Sequence, residues 1–328
     1  MSLVIAGDIG GSKTRLAIAD VTDTQVRFER EVEYRSRDFA SFETLLADFL
    51  EGVHVPERAA FGIAGPVTCG AVRTTNLPWY VEADALQKRF GFRCCDLLND
   101  IEATARGLPA LGAESMLTLQ LGEPGASGNA AIIAAGTGLG EAGLYWDGRQ
   151  YHPYATEGGH TSFSPQSELE MELLRYLQRR YGHVSWERVV SGMGLLDMHD
   201  FLRIYRKSPV PQWLAEEMHA NDAAAVIARA ALAGTDDTCV EVLECFVRLY
   251  GAEAGNLALK TMSRGGLYIG GGIAPKILPL LQREIFMHGF LDKGRMRSLL
   301  EAMPVQVILD DKAALYGPAL CAAQRGEI

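Results

Sequence analysis

Short apolar runs that end in glycine recur along this chain. Leu3-Val4-Ile5-Ala6 predicts a buried strand that enters the turn Gly7-Asp8-Ile9-Gly10-Gly11-Ser12. Thr14 to Asp20 then alternates apolar and polar positions, so the two segments read as a hairpin. The arrangement returns at Ala130-Ala131-Ile132-Ile133-Ala134-Ala135, the loop Gly136-Thr137-Gly138-Leu139-Gly140, and Ala142 to Trp146. Two strand–glycine loop–strand units in one chain predict a duplicated α/β architecture. Further strands are expected at 59–64, 92–98 and 267–269, the last running into Gly270-Gly271-Gly272, and at 305–309 after Pro304.

Helices are expected at 41–51, 82–90 and 101–107. In the second half, Ser164 followed by Pro165 reads as an N-cap with proline at the first helical position. Leu169, Leu173, Tyr176 and Leu177 then share a face, Arg179 and Arg180 suit the negative end, and Gly182 suits the C-cap. Segments 212–233 and 237–262 are helical by pattern, and an Ala-rich helix is expected over 311–325. No linker composition separates the halves, which predicts two domains joined by a tight hinge.

The 328 residues suit two domains and a core that needs no staple. Acidic residues outnumber basic ones, 41 to 31, so nucleic acid is not the expected partner. The six cysteines form no C-x-x-C pair, and Cys94 and Cys95 read as small core residues. The start lacks a basic n-region, and no apolar run reaches membrane-spanning length, so a cytoplasmic protein away from membranes is expected.

The loops carry the chemistry. Gly7 to Thr14 misses the P-loop pattern, with Ser12 where its second glycine belongs, and Glu141 breaks the dinucleotide pattern begun by Gly136. Small residues still let backbone N–H groups approach an anion closely. An acidic residue inside a phosphate loop would repel its ligand unless a metal stands between, so Asp8 points to Mg²⁺. At Leu98-Asn99-Asp100 a strand meets a helix, and either Asn99 or Asp100 could be the N-cap. Asp100 there could serve as a general base, its charge favoured by the helix N-terminus. Glu157 and His160 flank two glycines and offer an acceptor and a donor to a polyhydroxylated sugar, and Glu187 falls early in a short helix.

Taken in order, Gly7-Asp8-Ile9-Gly10-Gly11-Ser12, Leu98-Asn99-Asp100, Ala135 to Gly140, Glu157-Gly158-Gly159-His160, His183 to Gly192 and Gly270 to Ile273 resemble the bacterial glucokinase family of the actin-like ATPase and hexokinase superfamily. The resemblance implies a kinase that moves the γ-phosphoryl of ATP to the 6-hydroxyl of glucose. It implies two ribonuclease H-like α/β domains with a cleft between them, a small one from 1–110 plus 305–328 and a large one from 111–304. Gly7, Asp8, Ile9, Gly10, Gly11 and Ser12 match the first phosphate loop, with Asp8 holding Mg²⁺ through water. Gly136, Thr137 and Gly138 match the second loop, and Gly270, Gly271 and Gly272 match the adenosine motif. Asp100 matches the catalytic base. Asn99, Asp100, Glu157, His160 and Glu187 match the sugar site. The family is typically cytoplasmic and dimeric, and closure over the sugar is the expected way to exclude water.

Two departures stand out. Ser12 replaces a more usual threonine but keeps the hydroxyl, and Lys13 stands where the family often has asparagine. The related repressor and sugar-kinase branch carries a Cys-rich zinc motif after its E-x-G-H segment, whereas this chain has no cysteine between Cys95 and Cys239. A kinase for mannose or fructose, or a sugar-binding regulator without catalysis, are the remaining alternatives; an NAD-dependent oxidoreductase fails on the missing glycine fingerprint.

Overall fold

The computed structural model describes residues 2–74 and 77–324. Residue 325 of the expected last helix, and 325–328 of the expected small domain, lie outside them. The chain divides into two compact units, one built from Met1–Met116, Gln150–Ala155 and Asp310–Ile328, the other from Leu117–Arg149 with Thr156–Leu309.

In the first unit, β1 (Ser2–Ile9), β2 (Lys13–Thr22), β3 (Gln25–Arg35), β4 (Arg58–Ile63) and β7 (Cys94–Asn99) form a sheet ordered β3-β2-β1-β4-β7. The short β5 (Ala71–Arg73) and β6 (Tyr80–Glu82) pair separately. β1 runs antiparallel to β2 and parallel to β4, which runs parallel to β7. The apolar runs of β1 and β4 are buried because both sheet faces are covered. One face packs Ile5, Leu16 and Phe61 against Phe42, Leu45 and Phe49 of the Phe42–Leu50 helix. The other packs Val4, Ala6 and Ala60 against Ala103, Ala319 and Leu320.

Small residues on that second face set the position of the Asp100–Gly107 helix. A Cβ on Gly62 would stand 2.8 Å from the Ala103 Cβ, and one on Gly317 would stand 1.8 Å from the Ala103 carbonyl oxygen. Glycine at both places lets this helix lie close to β4 and to the Ala313–Gln324 helix.

The second sheet comprises β8 (Met116–Gln120), β9 (Ala130–Ala135), β10 (Leu139–Trp146), β11 (Tyr151–Thr156), β12 (Gly266–Gly270) and β13 (Val305–Ile308), ordered β11-β10-β9-β12-β13-β8. β9 is antiparallel to β10 and parallel to β12, which is parallel to β13. The expected duplication is therefore present: a hairpin followed by two parallel strands occurs twice, in the same spatial order. The core of this unit packs Ala131, Ile133, Leu267 and Ile269 against the helices Gly192–Arg206, Asp237–Thr261 and Glu284–Leu291.

The structure differs from the sequence expectation at several elements. Residues 305–309 were expected with the small domain. Val305, Gln306 and Val307 instead pair with Leu267, Tyr268 and Ile269, because both valines are buried in the second unit's core. The return to the first unit starts at Asp310, and that unit extends to Met116 rather than 110. The helix expected from Ser164 spans Glu168–Tyr181, because Ser167 and Glu170 form a reciprocal capping box. Segment 212–233 is two helices, Gln212–Ala220 and Ala223–Ala233, with Asp222 capping the second. Among the described residues no helix is long and apolar enough to cross a membrane.

Candidate functional site

The first glycine turn joins β1 to β2. The Gly10 N–H donates to the Lys13 carbonyl at 3.0 Å, closing the turn. Beneath it, the Ser36 hydroxyl donates to the Gly10 carbonyl at 2.7 Å and lies 2.9 Å from the buried Thr14 hydroxyl. Neither Thr14 nor Ser36 could be identified from local sequence, since their contact spans two strands. Gly7 and Ile9 lie inside β1. Gly7 faces the core, where a Cβ would stand 2.6 Å from both Leu16 and Phe61, so packing alone requires glycine there. Ile9 is buried, while Gly10 and Gly11 are partly exposed and Ser12 is exposed. Lys13 is exposed, and its ammonium pairs with Glu33 at 2.6 Å.

Asp8, half-buried in β1, sits in register opposite Arg15. Desolvation pushes its carboxyl up to about 6; the charge of Asp100 adds to the rise and Arg15 opposes it. Asp8 and Asp100 are thus electrostatic neighbours. Asn99, the last residue of β7, is the N-cap of the next helix. Its Oδ1 accepts from the N–H groups of Ile101 at 3.0 Å and Glu102 at 3.3 Å, and its Nδ2 donates to the Gly65 carbonyl. Asp100 is the first helical residue, and its Oδ1 accepts from the Ile101 N–H at 2.9 Å. The two residues divide the labour: Asn99 fixes the helix start, and Asp100 puts a carboxylate at its positive end.

In the second unit Glu157, His160 and Glu187 converge. The 3₁₀ turns Gly158–His160 and Trp186–Arg188 are joined by a bridge between Ser162 and Ser185 and by the Trp186 N–H donating to the Thr161 carbonyl at 3.0 Å. The buried Trp186 ring packs edge-on against Phe163. His160 Nε2 then lies 3.8 Å from Glu157 Oε2, and its Nδ1 lies 3.9 Å from Glu187 Oε1. Glu157 and His160 are largely exposed, whereas the Glu187 side chain is 20% exposed. The second glycine loop is fixed from the same side. Glu187 Oε2 accepts from the Leu139 N–H, and a Cβ on Gly138 would stand 2.3 Å from that oxygen. The Gly136 carbonyl accepts from the Gly192 N–H at 2.9 Å, Gly136 has open space where a Cβ would be, and Thr137 is exposed.

Gly270, Gly271 and Gly272 follow β12. Gly271 has a φ of +83° and touches the Ala135 carbonyl, where a Cβ would stand 2.3 Å away, so only glycine fits. Gly270 is buried and Gly272 exposed. Both this loop and the Gly136 loop leave their strands beside one buried side chain. The Tyr250 hydroxyl accepts from the Ala135 N–H and lies 3.2 Å and 3.3 Å from the Ile133 and Gly270 carbonyls. Tyr250 sits in the middle of the Asp237–Thr261 helix, and no motif marks it.

Comparison with known proteins gives the same reading. A family model described as Glucokinase matches residues 5–325. The chain is 43% identical to a Synechocystis sp. glucokinase, covering 98% of each, and 42% identical to one from Nostoc punctiforme, covering 99% of this chain and 100% of that one. Among solved structures, a glucokinase from an Antarctic psychrotroph superposes with a TM-score of 0.85 at 30% identity, covering 98% of this chain and 99% of that one. A Balamuthia mandrillaris glucokinase, solved with glucose, shares the fold at a TM-score of 0.82 and 21% identity, covering 98% of this chain and 94% of that one. The glycine loops, the Asn99-Asp100 helix start and the Glu157–His160–Glu187 cluster thus stand in a chain that belongs to the glucokinase family.

Proposed function

We propose that this chain transfers the γ-phosphoryl of ATP to the 6-hydroxyl of glucose, with Asp100 as the base and Asn99, Glu157, His160 and Glu187 as ring ligands. Family membership carries the reaction. The observation that carries the residue roles is the Glu187 carboxylate, which faces His160 with one oxygen and holds the second glycine loop with the other. Carboxylates and an imidazole in one cluster match the alternating donors and acceptors of sugar hydroxyls.

Asp100 at a helix N-terminus is placed to remain charged and accept the proton of the attacking hydroxyl. The remaining work is positioning and charge stabilisation. Gly10 to Ser12 and Gly136 to Gly138 would take the phosphates on backbone N–H groups, and Gly270 to Gly272 would take the adenosine side. Asp8 fits a divalent cation: its carboxyl is desolvated and repelled by Asp100, and a cation would relieve both effects. Mg²⁺ keeps most of its waters, so one carboxylate with the phosphates is enough to hold it. When bound, Mg²⁺ supplies charge neutralisation of the phosphates.

A homodimer in the cytoplasm is the family expectation carried over here, and sedimentation analysis tests the dimer. The reaction is tested by a hexose panel with ATP and Mg²⁺, reading ADP release. Glucose is expected to exceed mannose, fructose and galactose, because a site built to pair each hydroxyl rejects a misplaced one. Equal or better turnover of another hexose overturns the glucose assignment.

A further inference from the structure

Glu141 lies in β10, 2% exposed, outside every motif of the catalytic reading. It shares its burial with Glu253, which is fully buried in the Asp237–Thr261 helix. Glu253 has partners: Asn256 Nδ2 donates to its Oε2 at 2.8 Å and Lys260 Nζ to its Oε1 at 3.3 Å. Glu141 Oε1 is buried with no hydrogen-bond partner. Its Oε2 lies beneath Gly158, where a Cβ would stand only 1.9 Å away. The Thr156 hydroxyl donates to the Glu141 carbonyl at 2.8 Å and accepts from the Gly158 N–H at 3.2 Å. Glu141 is therefore the floor of the turn that carries Glu157 and His160.

A buried carboxylate with no donor to one of its oxygens is costly, and a proton on Glu141 relieves that cost; the charge of Glu253 acts in the same direction. The groups that act on the pair are few. Asn256, Lys260 and Tyr250, whose hydroxyl feels the charge of Glu141, come from the helix of Glu253. Lys293, next to Asp292, comes from the segment after the Glu284–Leu291 helix, and it also feels Glu170. Gly158 contributes only backbone. Burial and the charge of Glu253 push the Glu141 carboxyl up to about 8, with Lys260 opposing.

We propose that Glu141 is a positioning residue for the sugar site: as a neutral acid it keeps Oε2 packed beneath the Gly158–His160 turn. The proposal rests on the reading of Glu157 and His160 as sugar ligands. The predicted signature is a pH-dependent glucose KM. The folded value lies above the ordinary carboxylate range, so the stabilising proton is present at low pH and lost as pH rises through about 8. A buried charge without a donor to Oε1 then lies under the turn.

The test is steady-state kinetics at saturating ATP from about pH 6 to about pH 9.5, with a thermal melt at each pH. Wild type is expected to show a glucose KM that rises roughly three- to tenfold above pH ~8, with kcat changed far less. Glu141→Gln is neutral at every pH, so the rise is expected to flatten. Glu253→Gln, which removes the charged partner, should flatten it too and serves if Glu141→Gln fails to fold. A flat wild-type profile, or an unaltered rise in whichever of the two variants folds, overturns the proposal. His160→Ala separates the two readings. An unchanged glucose KM in His160→Ala overturns the sugar-ligand reading; a raised KM there, alongside matching wild-type and Glu141→Gln profiles, overturns the Glu141 proposal alone.

Discussion

The Glu187 carboxylate accepts a hydrogen bond from the Leu139 N–H at 3.0 Å. Through this contact one side chain belongs both to the Glu157–His160 cluster and to the second glycine loop. Glu187→Ala is therefore expected to raise the KM of glucose and of ATP together. A hydrogen bond to a charged group contributes about 1.5–3 kcal/mol, which sets the glucose effect at roughly 10- to 150-fold. His160→Ala, whose side chain does not touch the loop, should raise the glucose KM and leave the ATP KM within about twofold. A two-substrate kinetic matrix reads both; an Glu187→Ala enzyme with an unchanged ATP KM would separate the loop from the cluster.

Asp100→Asn keeps the size of the side chain and an acceptor for the Ile101 N–H, but it cannot carry a proton away. Turnover should fall by about 10²–10⁴, and glucose binding should change much less. Trp186, buried next to Glu187, gives a fluorescence titration to compare with turnover. Near-normal turnover would assign the base elsewhere. Binding lost in parallel would make Asp100 chiefly a ring ligand.

Asp8 carries a desolvated carboxyl that repels Asp100. Asp8→Asn should remove that penalty and raise metal-free stability by about 1–2 kcal/mol, a discounted share of the shift because the residue is only half-buried. The same change should increase the Mg²⁺ needed for turnover, or abolish turnover. Thermal unfolding in chelator, set beside a Mg²⁺ titration of activity, measures both. Unchanged Mg²⁺ dependence with unchanged kcat would exclude Asp8 from the mechanism.

Tyr250→Phe removes the hydroxyl shared by Ala135, Ile133 and Gly270. Leaving the buried Ala135 N–H without that acceptor should cost about 1–3 kcal/mol of stability. Because both glycine loops start at this point, the ATP KM should rise and the glucose KM should hold. A denaturant melt and the two KM values decide it; loss of stability with no change in the ATP KM would make Tyr250 a core residue only.

Some elements were legible and others were not, for identifiable reasons. β3 was missed although Val26, Phe28, Val32 and Tyr34 alternate along it, because charged residues fill the intervening positions of this edge strand. The Gly192–Arg206 helix was missed because Gly192 and Gly194 occupy its first turn, although Leu195, Met198 and Leu202 share its buried face. The choice between Asn99 and Asp100 as N-cap could not be made from sequence, because both side chains accept backbone N–H groups; the extended backbone of Asn99 decides it. β13 was assigned to the wrong unit because an apolar strand does not name its sheet.

The sequence by itself determined the duplicated strand–loop–strand pattern, the glycine loops and the carboxylates beside them. These are local: a strand buried on both faces must be apolar, and a tight turn under a backbone approach must be glycine. Only the tertiary structure decided that Glu187 bonds the Leu139 amide, that Tyr250 ties two glycine loops to one hydroxyl, and that Glu141 packs beneath Gly158. Each of these contacts joins residues far apart in the chain, and no local pattern encodes a partner that folding supplies.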